Sequence, residues 1–200
     1  NAYITTKISF ANYLGQLADK LDKDINVDNV TNTIGLDKRI GTKYFKAGGP
    51  YGGTCFPRDT WAFSKVSNNV GMKSHHMIAN EKINDDIVNN IFLSIIEESP
   101  DNVGLVGLSF KPGTSVVTES LACKLLKKLK KYDCNIYLFD NLKQETYDNI
   151  SKEITNKKVY YCKDLSDIEN RVNVMVYCND EDYGILNYSF TCSRVIKPWR

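Results

Sequence analysis

At Asn102 the chain changes its hydrophobic pattern, and this change limits the folds available to it. Before Asn102, apolar residues recur every three or four positions, as in helices with one buried face. After it, short apolar runs of strand type alternate with helical segments. This alternation predicts a parallel sheet with helices on its faces. We therefore predict an α/β protein with a helical domain over 1–100 and a small, doubly wound parallel-sheet domain over 101–200.

The individual elements follow from the same patterns. The first helix is predicted over 1–21, with a buried stripe of Ile4, Ile8, Ala11, Leu14, Ala18 and Leu21. Later helices are predicted over 27–34, 57–68, 76–98 and 119–132, the last with a buried stripe of Leu121, Leu125, Leu126 and Leu129. Strands are predicted at the start of 102–110, over 135–140, 158–162 and 173–178, and in a short last strand after Arg194.

Composition excludes several function classes. The 200 residues carry a formal net charge of +2, which gives no basis for binding nucleic acid or a membrane surface. The apolar runs fall short of the roughly 20 residues of a membrane-spanning helix, and the chain does not open with a signal-peptide pattern. We therefore predict a cytoplasmic protein with no nucleic-acid or membrane partner.

The six cysteines are predicted to be reduced thiols. They show no CxxC pair and no histidine at the spacing of a metal site, so we predict neither a disulfide framework nor a bound metal. Five lie in apolar or ordinary contexts, where a buried structural thiol is the usual explanation. Only Cys55 lies in a loop suited to exposure.

The segment GGPYGGTCFPRD, residues 48–59, is the best candidate for chemistry. Pro57 suits the first turn of a helix, so Cys55 is expected at a helix N-terminus, where positive charge and backbone N–H groups favour the thiolate. Asp59 lies four residues later and would face the thiol across one turn, as a group that handles a proton or positions water. The alternative is a tight turn whose cysteine only fills space.

Two further loops suit a phosphorylated ligand. Arg39, Lys43 and Lys46 alternate with aromatic residues, which would offer cations to phosphate and ring faces to a base or sugar. The loop GLSFKPGTS follows the first strand, at the end of an open α/β sheet where ligands bind. The chain has neither GxGxxG nor a P-loop, so a complete dinucleotide site is missing, and Lys111 is either a phosphate ligand or a turn residue.

These residues resemble the UDP-glucose/GDP-mannose dehydrogenase family over essentially the whole chain. Three segments carry the resemblance: NAYITTKISFANYL, then DKRIG followed by YGGTCFPRD, and finally GLSFKPGTSVVTES. The family oxidises the C6 alcohol of a nucleotide sugar to a carboxylate in two NAD-dependent steps, through a cysteine thiohemiacetal and thioester. The middle segment favours UDP-glucose as the substrate and UDP-glucuronate as the product.

The resemblance also implies roles for individual residues. Cys55 is similar to the family nucleophile, Asp59 to its acid/base partner, and Asn1 to an asparagine that supports an oxyanion or water. Cys55 and Arg58 would lie beside the cofactor. The residues implied to bind substrate are Arg39, Tyr44, Lys46, Tyr51, Gly52, Phe110, Lys111 and Arg194. Arg39 would reach the sugar site of a neighbouring subunit, which implies a homodimer.

The chain also departs from the family pattern. The amino-terminal Rossmann domain that holds most of the NAD is absent from this sequence, so we expect a carboxyl-terminal portion that is inactive alone. Thr118 stands where the family has an arginine that touches NAD. The alternatives are a dehydrogenase acting on GDP-mannose or UDP-N-acetyl sugars, and a non-catalytic module that binds nucleotide sugars or dimerises.

Overall fold

A computed structural model describes residues 1–21, 24–153, 158–181, 183, 192 and 194–199. The described residues form two compact units, Asn1–Ile87 and Val88–Trp199, and the division falls within a continuous helix rather than at residue 100. The roles that the family resemblance implies, dimerisation and the catalytic cysteine for 1–100 and UDP-sugar binding for 101–200, stay predictions.

The first unit is helical, as predicted. Its elements are α1 (Ala2–Leu21), α2 (Val27–Gly35), α3 (Phe56–Asn69) and the start of α4 (His75–Ile96). Asn26 caps α2 by accepting a hydrogen bond from the backbone N–H of Asn29 at 3.0 Å, and Pro57 lies in the first turn of α3. Among the described residues, none of the helices has the length and apolar character needed to span a membrane.

The buried face of α1 differs from the predicted stripe. Leu21 is 69% exposed, and the residues that are buried are Thr5, Ser9, Ala11, Asn12, Gly15 and Ala18. The reason is close packing, since a Cβ atom on Gly15 would lie 3.0 Å from the Cβ of Ala47. The buried hydroxyl of Thr5 also lies 3.1 Å from that of Thr60 on α3. Small and polar side chains therefore replace large apolar ones at this interface.

The second unit contains a five-stranded parallel sheet, and the predicted α/β fold class is confirmed. The strands are β1 (Asn102–Val106), β2 (Asn135–Phe139), β3 (Val159–Tyr161), β4 (Val174–Tyr177) and β5 (Arg194–Ile196). Their order is β3-β2-β1-β4-β5, with every neighbouring pair parallel. The order reverses its direction at β1, so the carboxyl ends of β1 and β4 flank the topological switch point.

The helices of the second unit are α5 (Leu121–Leu129), α6 (Lys143–Glu153) and α7 (Leu165–Glu169). All four leucines of the predicted α5 stripe are buried, which confirms that face. Burial of one such side chain contributes roughly 1.5–3 kcal/mol. The sequence analysis did not predict α6, which buries only Thr146 and Ile150 among mostly polar residues and so shows a weak helical pattern.

Candidate functional site

Cys55 lies immediately before the first residue of α3, as predicted. The backbone turns into the helix through Gly53, whose φ of 79° is a conformation that favours glycine. The N–H of Asp59 donates to the carbonyl oxygen of Cys55 at 2.9 Å, which closes the first turn. The thiol is exposed, and its sulfur lies 3.7 Å from the hydroxyl of Thr54. Cys55 is thus the N-cap residue of α3, and its side chain makes no capping hydrogen bond to the helix.

Asp59 joins two other predicted residues in one hydrogen-bonded cluster. The amide of Asn1 donates to Oδ2 of Asp59 at 2.5 Å, and Nε of Arg58 donates to Oδ1 at 2.8 Å. The hydrogen bond from Asn1, followed by that from Arg58, lowers the pKa of Asp59 below its ordinary value of 3.8. Asp59 is therefore a carboxylate at neutral pH and can accept a proton or a hydrogen bond from water.

Four predicted substrate residues lie on the loop before Cys55. Tyr44 has a left-handed backbone, with φ of 59°, and its ring contacts the ring of Phe56 edge-on at 5.9 Å between centroids. An aromatic residue at positive φ is uncommon and is typical of functional sites. The exposed ammonium of Lys46 lies 3.9 Å from the carboxylate of Asp28. Tyr51 and Gly52 are buried.

Two details of this loop bear on ligand binding. The hydroxyl of Tyr51 is buried without a hydrogen-bond partner in the described part of the chain, and burial raises the pKa of that hydroxyl, as do the charges of Glu81 and Asp85. Arg39 is highly exposed, and its guanidinium pairs with the carboxylate of its near neighbour Asp37 at 2.5 Å. The site of Arg39 is thus open to a further partner.

The remaining predicted residues belong to the second unit. Phe110 and Lys111 lie on the loop after β1, where the ammonium of Lys111 sits 5.5 Å from the centre of the Phe110 ring. The hydroxyl of Ser109 donates to the carbonyl of Lys111 at 2.8 Å, which shapes this loop. Arg194 is the first residue of β5 and pairs with Glu98 at 2.9 Å and Glu97 at 3.3 Å.

Comparisons with known proteins identify the family. Residues 1–86 match the model of the UDP-glucose/GDP-mannose dehydrogenase family, central domain. A UDP-glucose dehydrogenase structure from Pyrobaculum islandicum superposes on the entire chain with a TM-score of 0.87 and 29% sequence identity. Residues 1–86 belong to the UDP-glucose/GDP-mannose dehydrogenase family. This confirms the resemblance drawn from the motifs.

Two bacterial relatives of this dehydrogenase family support the assignment. A UDP-glucose 6-dehydrogenase from Rickettsia bellii is 31% identical over 80% of the chain. The UDP-glucose 6-dehydrogenase YwqF from Bacillus subtilis is 34% identical over 70% of the chain. The chain covers only 37% of the first, 32% of the second and 46% of the Pyrobaculum islandicum protein. It therefore spans less than half the length of these dehydrogenases.

The sequence analysis missed the residues that hold the loops of this chain. Asn12 and Asn84 bond the backbone of the glycine-rich loop, and Asp140 accepts from the N–H of Leu108 at 2.7 Å after β1. One signal was present, because Asn84 falls at helical spacing on the buried stripe of α4 with Met77, Asn80, Ile87 and Ile91. A polar residue on such a stripe needs a buried partner, but the pattern does not say which one.

Proposed function

We propose that this chain is the part of an NAD-dependent UDP-glucose 6-dehydrogenase that binds the UDP-sugar and supplies the catalytic cysteine. One observation carries the proposal: the exposed thiol of Cys55 lies at the N-terminus of α3, one helical turn from the carboxylate of Asp59, which Asn1 and Arg58 hold in its charged form. Membership of the dehydrogenase family supports it. The activity belongs to the whole enzyme, of which this chain is less than half.

Cys55 would react with the C6 aldehyde that the first oxidation of the sugar produces. Its thiolate adds to C6, the carbonyl electrons move to the oxygen, and that oxygen takes up a proton to give a thiohemiacetal. Cys55 is exposed at the start of α3, so its sulfur is accessible to the aldehyde. Asn1 would support the developing oxyanion or the water that follows, since its amide already lies beside Asp59.

Asp59 would serve the hydrolysis of the thioester that follows the second oxidation. Water attacks C6, Asp59 accepts one proton from that water, and the C–S bond breaks to return the thiolate of Cys55 and release a carboxylic acid, which gives its remaining proton to the solvent. The charged form of Asp59 is what this role requires, because a protonated carboxyl group could not accept the proton.

The switch point of the second unit is closely packed around Gly107. Gly107 has φ of 79°, and a Cβ atom there would lie 2.4 Å from Oδ1 of Asn179 and 2.7 Å from the hydroxyl of Tyr183. These side chains leave little room beside Gly107 for the close approach to a pyrophosphate that the glycines of a dinucleotide site permit. The proposal therefore assigns NAD to a part of the enzyme beyond these residues, with Cys55 and Arg58 beside it.

The predicted substrate residues would contact different parts of the UDP-sugar. Lys46 offers a cation for the diphosphate, while Tyr44, Tyr51 and Gly52 would surround the sugar. Phe110 and Lys111 would contact the nucleotide, and Arg194 would be a late substrate contact. Arg39 would serve the sugar site of a second subunit in a homodimer. The cytoplasmic location also stays a prediction.

Isothermal titration calorimetry tests the proposal. The 200-residue chain is titrated separately with UDP-glucose, UDP-glucuronate, GDP-mannose, a UDP-N-acetyl sugar and NAD. We expect saturable binding of UDP-glucose and UDP-glucuronate, weaker binding of the other two sugar nucleotides, and none of NAD. Preference for GDP-mannose or the N-acetyl sugar would transfer the proposal to those substrates, and no binding of any nucleotide sugar would contradict it.

A further inference from the structure

We propose that Asn84 and Asn12 are positioning residues that clamp the glycine-rich loop 48–51 into the conformation that receives the sugar nucleotide. This inference rests on the proposed function for its ligand. Asn84 lies outside the three segments that carry the family resemblance, whereas Asn12 lies within the first of them. Neither residue was assigned a role there, and neither carries a charge or a nucleophile. Their importance follows from four hydrogen bonds to the backbone of one loop.

Asn84, which lies on α4, holds the backbone of Tyr51. The backbone N–H of Tyr51 donates to Oδ1 of Asn84 at 2.8 Å, and Nδ2 of Asn84 donates to the carbonyl of Tyr51 at 3.0 Å. One side-chain amide therefore pairs with both backbone groups of one residue. Asn84 is only 3% exposed, so water does not compete for these groups.

Asn12, which lies on α1, holds the backbone of Gly48 and Gly49. The backbone N–H of Gly48 donates to Oδ1 of Asn12 at 2.8 Å, and Nδ2 of Asn12 donates to the carbonyl of Gly49 at 3.2 Å. Asn12 is also 3% exposed. Each amide has only one orientation that meets both an N–H and a carbonyl, so the two clamps fix their own geometry.

The loop needs such partners because it has neither a helix nor a strand to pair with. Gly49, Pro50 and Tyr51 are buried, and buried backbone groups outside regular structure must be paired by side chains or water. Two rigid helices supply these partners from separate points on the chain. The clamped loop ends four residues before Cys55, so its position bears directly on where a sugar would meet the thiol.

Rigid placement is what a sugar site beside a nucleophile requires. A displacement of about 1 Å costs roughly 100-fold in rate when reacting atoms must meet. A loop rich in glycine has many accessible conformations, and hydrogen bonds from fixed helices restrict them before the ligand arrives. Asn84 and Asn12 thus act on the substrate through the loop and do not touch the reacting atoms.

Asn80 provides a matched control. It lies one turn before Asn84 on α4, is also 3% exposed, and donates from Nδ2 to the hydroxyl of Thr6 at 2.9 Å. Replacing it by alanine therefore removes a buried amide from the same helix without removing a bond to the loop. A general loss of stability would affect Asn80→Ala and Asn84→Ala alike.

The test compares both variants with the parent 200-residue chain. Amide hydrogen exchange at Tyr51 reports the clamp, and calorimetric affinity for UDP-glucose reports its effect on the ligand. In Asn84→Ala we expect faster exchange at Tyr51 and about tenfold weaker binding, which corresponds to about 1.4 kcal/mol. In Asn80→Ala we expect the exchange rate at Tyr51 and the affinity for UDP-glucose to stay within about twofold of the parent values. Equal effects in the two variants would overturn the inference.

Two further outcomes are distinguishable. If the parent chain binds no UDP-glucose, the proposed function fails, and the exchange rate at Tyr51 alone decides the clamp. If Asn84→Ala does not fold, Asn84→Asp takes its place, because it keeps the size and the acceptor for the N–H of Tyr51 but loses the donor to its carbonyl. Exchange at Tyr51 and affinity for UDP-glucose that match the parent chain in Asn84→Asp would overturn the inference. Faster exchange and weaker binding would support it.

Discussion

Asp59 shows how neighbouring side chains set the chemistry of one carboxylate. Its two oxygens accept hydrogen bonds from different partners, Asn1 on one and Arg58 on the other. Both bonds favour the charged form, which is why the pKa of Asp59 is lowered. The stabilisation from these contacts is present above the unfolded pKa and is lost as the pH falls through the lower folded pKa.

Substitution of either partner is expected to raise the pKa of Asp59 toward 3.8. Asn1→Ala should have the larger effect, because its hydrogen bond is the largest cause, and Arg58→Met the smaller. The measurement is a pH titration of the Asp59 carboxyl carbon by NMR. Asp133 is the internal control, since its pKa is lowered by Lys158 and should not move. A larger effect of Arg58→Met would contradict this ranking.

The cysteines are expected to react with iodoacetamide at very different rates. Cys55 is exposed, whereas Cys123, Cys134, Cys162 and Cys178 are buried. Burial also raises the pKa of Cys162 to about 12, so its reactive thiolate is scarce near neutral pH. Peptide mass spectrometry should therefore find Cys55 modified first, at least about tenfold faster than Cys162.

Substrate should slow this reaction at Cys55. UDP-glucose is expected to protect Cys55 while leaving the half-buried Cys192 unchanged, which makes Cys192 the control within the same chain. Fast modification of a buried cysteine would contradict the exposure pattern. Undiminished modification of Cys55 in saturating UDP-glucose would count against the proposed site.

At the scale of elements, α1 presents different chemistry on its two faces. The buried face carries small and polar residues, whereas large apolar residues are exposed on another face: Tyr3, Phe10, Tyr13, Leu17 and Leu21. Their spacing of three, four and seven residues places them in one stripe along the helix. An exposed apolar stripe of this kind is typical of a protein interface. It supports a homodimer in which α1 contacts a second copy.

Charges on this stripe are expected to weaken the dimer. The double variant Tyr13→Glu/Leu17→Glu should sediment as a monomer at concentrations where the parent sediments as a dimer, because two carboxylates would be buried without partners. The control is Leu36→Glu, which alters an exposed leucine outside α1 and should leave the dimer intact. A dimeric double variant would exclude this face, and a monomeric parent would exclude the dimer itself.

At the scale of the whole molecule, topology decides which strands carry the stability of the sheet. β1 lies at the centre, with β2 and β4 on either side, although it comes first in the sequence. In the sheet formed by the described residues, β3 lies at one edge and has only β2 as a neighbour. The same type of apolar residue therefore contributes differently on these strands, because the central position is buried on both faces.

Truncation at the centre and at the edge of the sheet should separate these contributions. Leu105→Ala on β1 removes a fully buried side chain and is expected to cost about 2–5 kcal/mol of unfolding free energy. Tyr160→Ala on β3 removes a half-exposed ring stacked on Tyr137, with an expected cost of about 1 kcal/mol. Urea denaturation measures both, and equal costs would contradict the topology.

Much of the fold could be predicted because the signals were local. The α5 leucines, Pro57 at the start of α3 and the apolar strand runs each mark their element within a few residues. The candidate site was predicted only in part. Cys55, Asp59 and Arg58 lie together in sequence, but the bond from Asn1 to Asp59 spans 58 positions and was not predicted. Only the family resemblance pointed to Asn1, as a residue that supports an oxyanion or water.

The local sequence by itself determined the alternation of helices and strands and the place of Cys55 before a helix, because periodicity and turn chemistry act between near neighbours. Only the tertiary structure decided that β1 is central, that small residues of α1 face inward, and that Asn12 and Asn84 bond one loop. These outcomes depend on how closely distant segments pack and on which buried polar groups then need a partner.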